Sequence, residues 1–237
     1  MSSSAQVSIV IPNLHSPLIG DVVAALRRQT LASAIREIIV VGMDRFNLVS
    51  PNVQFIATPQ PVAPAIARNT GARAAQGQLL LFLDADYIAA PDLIEQLIAR
   101  HAAGQPVIGG AMQIETDSYW VLCDNLLSFT DTPASASAGE RAYLPSFCLA
   151  VERELFEQAG GFDERFAGAA GEDIDLSMRL RGLGHSLQFE PALRVAPLAT
   201  PSRIRSGTAS SLSTSRAMDS WPLPPSTSRI SGSLPSP

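Results

Sequence analysis

Two carboxylates one residue apart, Asp84 and Asp86, follow directly on the run Leu79-Leu80-Leu81-Phe82-Leu83. Five large apolar residues are too few to cross a bilayer and read as a strand buried on both faces. In an open α/β sheet, ligands gather beyond the carboxyl ends of the strands, so the two acids stand where polar chemistry is expected. Paired carboxylates on a turn suit a divalent cation with oxygen ligands and a phosphate-bearing substrate. Taken alone, an Asp-x-Asp is more often a turn cap beside a solvated acid, so the surrounding chain has to decide.

The elements that would position this pair read as alternating strands and helices. Val7 to Ile11 is a strand ended by Pro12-Asn13, and Ile19 to Gln29 has the helical spacing of apolar residues. Ile38 to Val41, broken by Gly42, and Val53 to Ala57, bounded by prolines, read as two further strands. Units of about thirty residues with this alternation predict a mostly parallel central sheet with crossover helices on both faces, a Rossmann-like α/β class.

Pro64 to Gln76 is a helix with Pro near its start and Gly77 just past its end, and it carries Arg68, Asn69 and Arg73. Beyond the two acids, Leu93 to Ala102 is a helix and Pro106 to Met112 a strand, with Gly109-Gly110 as a bulge or a point of close approach. The stretch from Glu115 to Tyr143 is less regular, with an aromatic helix over Tyr119 to Phe129 and a loop of small residues after it. Val151 to Ala159 reads as a helix closed by Gly160-Gly161. Glu172-Asp173-Ile174-Asp175 leads into another helix that stops at Gly182 or Gly184, and His185 to Phe189 reads as a final strand. From about Thr200 the composition turns to serine, proline and arginine without periodicity, so the expected domain is 1–198 and the expected disordered tail 199–237.

Bulk properties narrow the function. The chain has 237 residues, a net charge of −5 and 46% hydrophobic residues, which excludes a general affinity for nucleic acid. An anionic substrate would need a metal or placed arginines. Cys123 and Cys148, with no CxxC and no His cluster, form neither a zinc site nor a disulfide framework. No signal peptide and no bilayer-length apolar run is visible, so the expectation is a soluble, cytoplasmic protein, with peripheral association at the inner membrane face left open.

Five pieces in a fixed order resemble the family 2 glycosyltransferases of the GT-A fold: Val7-Ser8-Ile9-Val10-Ile11-Pro12, Ala67-Arg68-Asn69-Thr70-Gly71-Ala72, Leu81-Phe82-Leu83-Asp84-Ala85-Asp86, Gly160-Gly161-Phe162-Asp163-Glu164, and Gly171-Glu172-Asp173-Ile174-Asp175-Leu176 with Arg179. Together they cover roughly residues 7 to 195. The resemblance implies inverting transfer of a sugar from a nucleotide-diphospho-sugar donor to an acceptor hydroxyl on a saccharide, a lipid-linked molecule or a small molecule, with Mg or Mn as cofactor.

It implies Asp86 as the direct metal ligand of a DxD motif, with Asp84 nearer the ribose or the metal's waters. Pro12, Asn13 and Asp44 fall on the donor-binding side, and Arg68 stands either to offset the diphosphate charge or as an ordinary helix arginine. Asp173 matches the family's general base, with Glu172 as second choice. Crowded carboxylates repel and raise at least one pKa, which suits a base, while acids in a first helical turn are also stabilised by the helix dipole. Asp175 reads as structural, and Arg179 one turn on stands either as its salt-bridge partner or as a phosphate contact.

Three departures bear on these roles. Gly42-Met43-Asp44-Arg45 replaces the Asp-Asp-Gly-Ser type of turn that reads the nucleobase, so Asp44 is a substitute and the base stays open. Asn13-Leu14-His15 replaces an aromatic-Asn pair. Arg194-Val195-Ala196-Pro197 stands where relatives often place a further metal-binding histidine, and His185 lies before that strand. A second reading therefore stands beside the enzyme: a truncated or degenerate GT-A domain that binds nucleotide or a partner without turnover. A nucleotidyltransferase is disfavoured by the lack of a glycine-rich, lysine-containing phosphate loop. Acceptor choice is expected from the Glu115–Tyr143 region and the Leu144-Pro145-Ser146-Phe147 turn.

Overall fold

The computed structural model describes residues 5–113, 132–166, 168 and 171–198. The tail from 199 and the aromatic helix expected over 119–129 lie outside the described residues. Strand β1 (Val7–Leu14) is followed by helix α1 (Ile19–Arg27), β2 (Ile35–Met43), β3 (Gln54–Ala57), α2 (Pro64–Ala74), β4 (Leu79–Leu83), β5 (Tyr87–Ala89), α3 (Leu93–Ala102), β6 (Val107–Met112), β7 (Gly139–Glu140), β8 (Cys148–Glu152), α4 (Arg153–Gln158), α5 (Glu172–Gly182) and β9 (Gln188–Pro197). One nine-stranded sheet runs in the order β3-β2-β1-β4-β8-β6-β9-β5, with β7 also on β9.

The strand run that introduces the two acids is the middle of this sheet. All five residues of β4 are fully buried, because β4 lies between β1 and β8 and the sheet is covered on both faces. On one face Val10, Ile39, Leu80 and Phe82 pack with Ala65 and Ala67 of α2, Leu155 and Phe156 of α4, and Leu176 and Leu180 of α5. Phe82, Phe156 and Phe162 make a tight aromatic group there, with ring centroids 5.1–5.6 Å apart. Helices α1 and α3 bury Ile19, Val22, Leu26, Leu93 and Leu97, none of which joins that cluster, and so cover the other face.

The α/β class stands, and the parallel grammar holds for the N-terminal strands: β3, β2, β1 and β4 are all parallel neighbours. Beyond β4 the sheet becomes mixed. The cause is β8, which inserts antiparallel between β4 and β6. The expected helix from Val151 is corrected here: Val151 is a strand residue facing Leu80 and Val107, and the helix begins at Arg153. A short apolar run bears no mark of which element it joins until its neighbours are known. The final strand is likewise longer and later than expected, and it bulges where Gly110 pairs with Glu190 while Ala111 pairs with Arg194. A Cβ on Gly110 would lie 2.6 Å from the Leu193 carbonyl oxygen, so the glycine pair marks a close approach as expected.

A gap opens at the carboxyl ends of β1 and β4. Pairing of β1 with β4 stops at Val10, whereas pairing with β2 continues to Leu14, so β1 runs on past Pro12 with one side free of β4. Among the described residues no helix is long and apolar enough to cross a membrane.

Candidate active site

The gap is the floor of a cleft of about 400 Å³. Its walls come from the ends of β1 (Pro12, Asn13), β2 (Val41 to Met43) and β4 (Asp84 to Asp86), and from the start of α2 (Pro64, Ala67, Arg68). The β1 wall is tied in place by side-chain hydrogen bonds. Asn13 is buried; its Nδ2 donates to the Met43 carbonyl at 2.9 Å and its Oδ1 accepts from the Ser16 amide at 3.1 Å. Gly42 is required opposite it: at φ +132° a Cβ would stand 2.1 Å from the Asn13 carbonyl oxygen.

The two acids differ in environment. Asp84 is partly buried and its Oδ1 accepts from Arg68 Nη2 at 2.8 Å. Asp86 is exposed at the cleft, yet crowding by nearby protein atoms, and then the charge of Asp84, raise its pKa above the ordinary carboxylate value. Burial and the same two charges push the Tyr87 phenol up as well. The turn thus carries a concentrated negative field in hard oxygen donors, a donor set that fits Mg or Mn. Its backbone is held firmly: Ser16 Oγ donates to the Ala85 carbonyl at 2.9 Å and the Leu198 amide donates to the Asp86 carbonyl at 2.8 Å.

Arg68 connects this turn to the second acidic cluster. It is only 3% exposed, and its Nη1 donates to Glu172 Oε1 at 3.0 Å while Nη2 holds Asp84. Glu172 is buried at the first position of α5, after Gly171 at φ +94°. Asp173 is partly exposed; its Oδ2 accepts from the Ser146 amide at 3.2 Å and its Oδ1 from the Ile174 amide at 2.9 Å. The Leu144–Phe147 turn joins both acids through its backbone, since the Phe147 carbonyl accepts from the Asp84 amide at 3.3 Å. Asp175 pairs with Arg179 at 2.6 Å, and Arg179 also donates to the Ala159 carbonyl, so of its two readings the salt bridge is the one formed here.

Of the residues singled out from sequence, Pro12, Asn13, Arg68, Asp84 and Asp86 line one cleft, and Glu172 and Asp173 reach it through Arg68 and the Leu144–Phe147 turn. Asp44 does not line it. Its Oδ2 accepts from the Val49 amide at 2.7 Å and so shapes the loop after β2. Reading by residue type missed Thr58, Pro61 and Val62 on the cleft wall, which carry no chemical signature. It also missed the Ser146 amide, a backbone donor that no side-chain motif reveals.

A mixed α/β sheet with an acidic turn at the carboxyl end of its central strand, opening on a cleft, defines the class, an open α/β sheet of the kind whose strand ends gather ligands. Residues 43–159 match the family model of glycosyl transferase family 2. The chain is 32% identical over 149 residues to validoxylamine A glucosyltransferase of Streptomyces hygroscopicus subsp. jinggangensis, covering 51% of this chain and 35% of that protein. It is 29% identical over 210 residues to pre-mycofactocin glycosyltransferase of Mycobacterium tuberculosis (82% and 43%), and 28% identical over 211 residues to the O-antigen biosynthesis protein RfbC of Myxococcus xanthus (76% and 16%). The chain thus spans less than half the length of these relatives. The crystal structure of GalNAc-T7 with UDP, GalNAc and Mn2+ superposes with a TM-score of 0.68 at 16% identity, over 84% of this chain and 45% of that one, a likeness of fold. Together, the match over residues 43–159, these relatives and the likeness of fold support a family 2 glycosyltransferase domain of GT-A-like fold.

Proposed function

We propose that the domain transfers a sugar from a nucleotide-diphospho-sugar donor to an acceptor hydroxyl, with inversion at the anomeric carbon. The observation that carries this reading is the cleft at the ends of β1, β2 and β4, with Asp84 and Asp86 at its lip. The match to the glycosyl transferase family 2 model and the UDP and Mn2+ in the GalNAc-T7 structure support a nucleotide donor and a divalent cation.

Asp86, with Asp84 beside it, is the group that would hold Mg or Mn. Among the described residues no set of three or more His, Cys, Asp or Glu side chains converges as a metal cage. That suits a cation whose remaining ligands are donor phosphates and water. The cation, when bound, offsets the negative charge that grows on the departing diphosphate. The β1 wall with Pro12 and Asn13, and the apolar side chains of Met43, Pro61 and Val62, form the donor's seat. Arg68 supplies positive charge at its floor, already engaged by Asp84 and Glu172.

Asp173 takes the proton from the attacking hydroxyl. Each of its oxygens accepts one backbone N–H and keeps a lone pair free, so the carboxylate is oriented without being closed off. The reading is tested by a panel of nucleotide sugars and nucleoside diphosphates scored by thermal shift with and without Mn. A donor should raise the melting temperature in a Mn-dependent way, followed by release of free nucleoside diphosphate on turnover. A panel in which no nucleotide stabilises the fold would overturn it. Mn-dependent stabilisation with no transfer to any acceptor would instead support the reading as a binding domain.

A further inference from the structure

Glu172 stands next to the proposed base, yet its own side chain is closed off. It is 3% exposed, its Oε1 is taken by Arg68, and its Oε2 is buried with no hydrogen-bond partner. A carboxylate in that setting meets no acceptor hydroxyl. What it does meet is a guanidinium whose other arm ends on Asp84.

We propose that Glu172 is a positioning residue of the transferase reaction: through Arg68 it sets the placement and charge of Asp84, tying the start of α5 to the acidic turn after β4. The inference rests on the functional reading above and adds a role for one side chain of that site. Three features carry it. The first is geometric. Guanidinium is a rigid planar fork, so donating from Nη1 to Glu172 at 3.0 Å and from Nη2 to Asp84 at 2.8 Å fixes how far apart the two carboxylates stand. The Phe162 ring lies 5.5 Å from the Arg68 guanidinium carbon, and Phe162 itself is held in the aromatic group of the core, so the fork has a packed neighbour on that side.

The second is electrostatic. One guanidinium faces two carboxylates, which leaves the trio one negative charge in excess, beside the Asp86 carboxylate. With Glu172 present, Arg68 is shared, and Asp84 keeps much of its negative charge for a cation in the cleft. With Glu172 neutral, the whole positive charge of Arg68 falls on Asp84, and a second cation there is disfavoured.

The third is topological. Asp173 follows Glu172 directly, at the first turn of α5, and is also tied to the Leu144–Phe147 turn, whose Phe147 carbonyl accepts from the Asp84 amide. The proposed base and the acidic turn are therefore joined by two routes, one through side chains and one through backbone. Only the side-chain route carries charge, and Glu172 is its end.

The test uses the full chain and reads metal binding rather than turnover. Mn2+ is titrated by electron paramagnetic resonance with UDP, GDP and dTDP present together, so that no choice of base is assumed. Glu172→Gln keeps the shape and removes the charge, and should raise the half-saturating Mn2+ concentration about tenfold, as for groups that support a metal ligand from behind. In an Arg68→Met background the same Glu172→Gln change should have no further effect, because its influence passes through Arg68. An unchanged Mn2+ requirement in Glu172→Gln, or the same tenfold change in both backgrounds, overturns the proposal. Melting temperatures of the metal-free proteins report folding. Should Glu172→Gln not fold, Arg68→Lys replaces it: a point charge cannot hold two carboxylates at a fixed spacing, so the requirement should again rise, and an unchanged value overturns the proposal. Wild-type chain that binds no Mn2+ with these nucleotides removes the functional reading and this inference together. Wild-type binding with an unaffected Glu172→Gln variant removes the inference alone.

Discussion

The two halves of the sheet solve the same problem differently. From β3 to β4 the strands are parallel, and their carboxyl ends converge on one cleft, so chain direction alone delivers Pro12, Asn13, Met43, Asp84 and Asp86 to one place. From β8 to β5 the pairings alternate in direction, and the strand ends point both ways. In that half the candidate groups sit on a helix start and on a turn, and they are tied to the first half by Arg68 and by the Leu144–Phe147 backbone. In the proposed reaction the parallel half would seat the donor through its topology. The mixed half would place the base through specific contacts and so depends more on individual residues.

This contrast is open to direct attack. The largest effect is expected at Asp173. Asp173→Asn should lower transfer by about 10²–10⁴-fold, the range for losing a general base, while nucleotide binding measured by calorimetry stays within roughly twofold. Full retained transfer would remove the mixed half from the chemistry.

Next comes Asp86→Asn, which should abolish Mn-dependent nucleotide binding in calorimetric titration. The same change should stabilise the metal-free protein at neutral pH. The folded state raises the Asp86 pKa, so it holds that proton more tightly than the unfolded chain does. Stability linked to Asp86 is then fully present below the ordinary carboxylate pKa and is lost as pH rises through the raised folded value. The melting-temperature gap between variant and wild type should therefore be absent in acid and open as pH rises. A gap that widens towards acid would contradict the crowding of Asp86 by protein atoms and by the Asp84 charge.

Stability variants separate core from edge. Leu81, fully buried at the middle of β4, should cost about 2–5 kcal/mol on truncation to Ala, read from urea unfolding. Phe55 lies on the four-residue edge strand β3 and is 39% exposed, so Phe55→Ala should move stability by no more than about 0.5 kcal/mol. A large loss at Phe55 would mean that the edge of the parallel half is covered.

Much of the local structure was legible in the residues. The Leu79–Leu83 run with its two acids, the proline and glycine bounds of α2, and the glycine pair in β6 each state a local requirement, and local requirements survive folding unchanged. The pairing of distant segments was less so. Cys148 to Glu152 is a strand because β4 and β6 lie on either side of it, and those neighbours are more than thirty residues away in the chain. Asp44, read as a substitute for a base-reading acid, holds the Val49 amide through Oδ2, a contact set by how the loop after β2 turns.

By itself, then, the sequence determined the strand–helix grammar, the acidic turn and the order of motifs, because burial patterns and turn residues act over a few positions. Only the tertiary structure decided which acid is reachable. Glu172 and Asp173 are chemically alike neighbours, and the helix that starts there turns one into Arg68 and leaves the other partly open beside the Ser146 amide. Exposure of a side chain depends on packing among distant segments, and that is information no short stretch of chain contains.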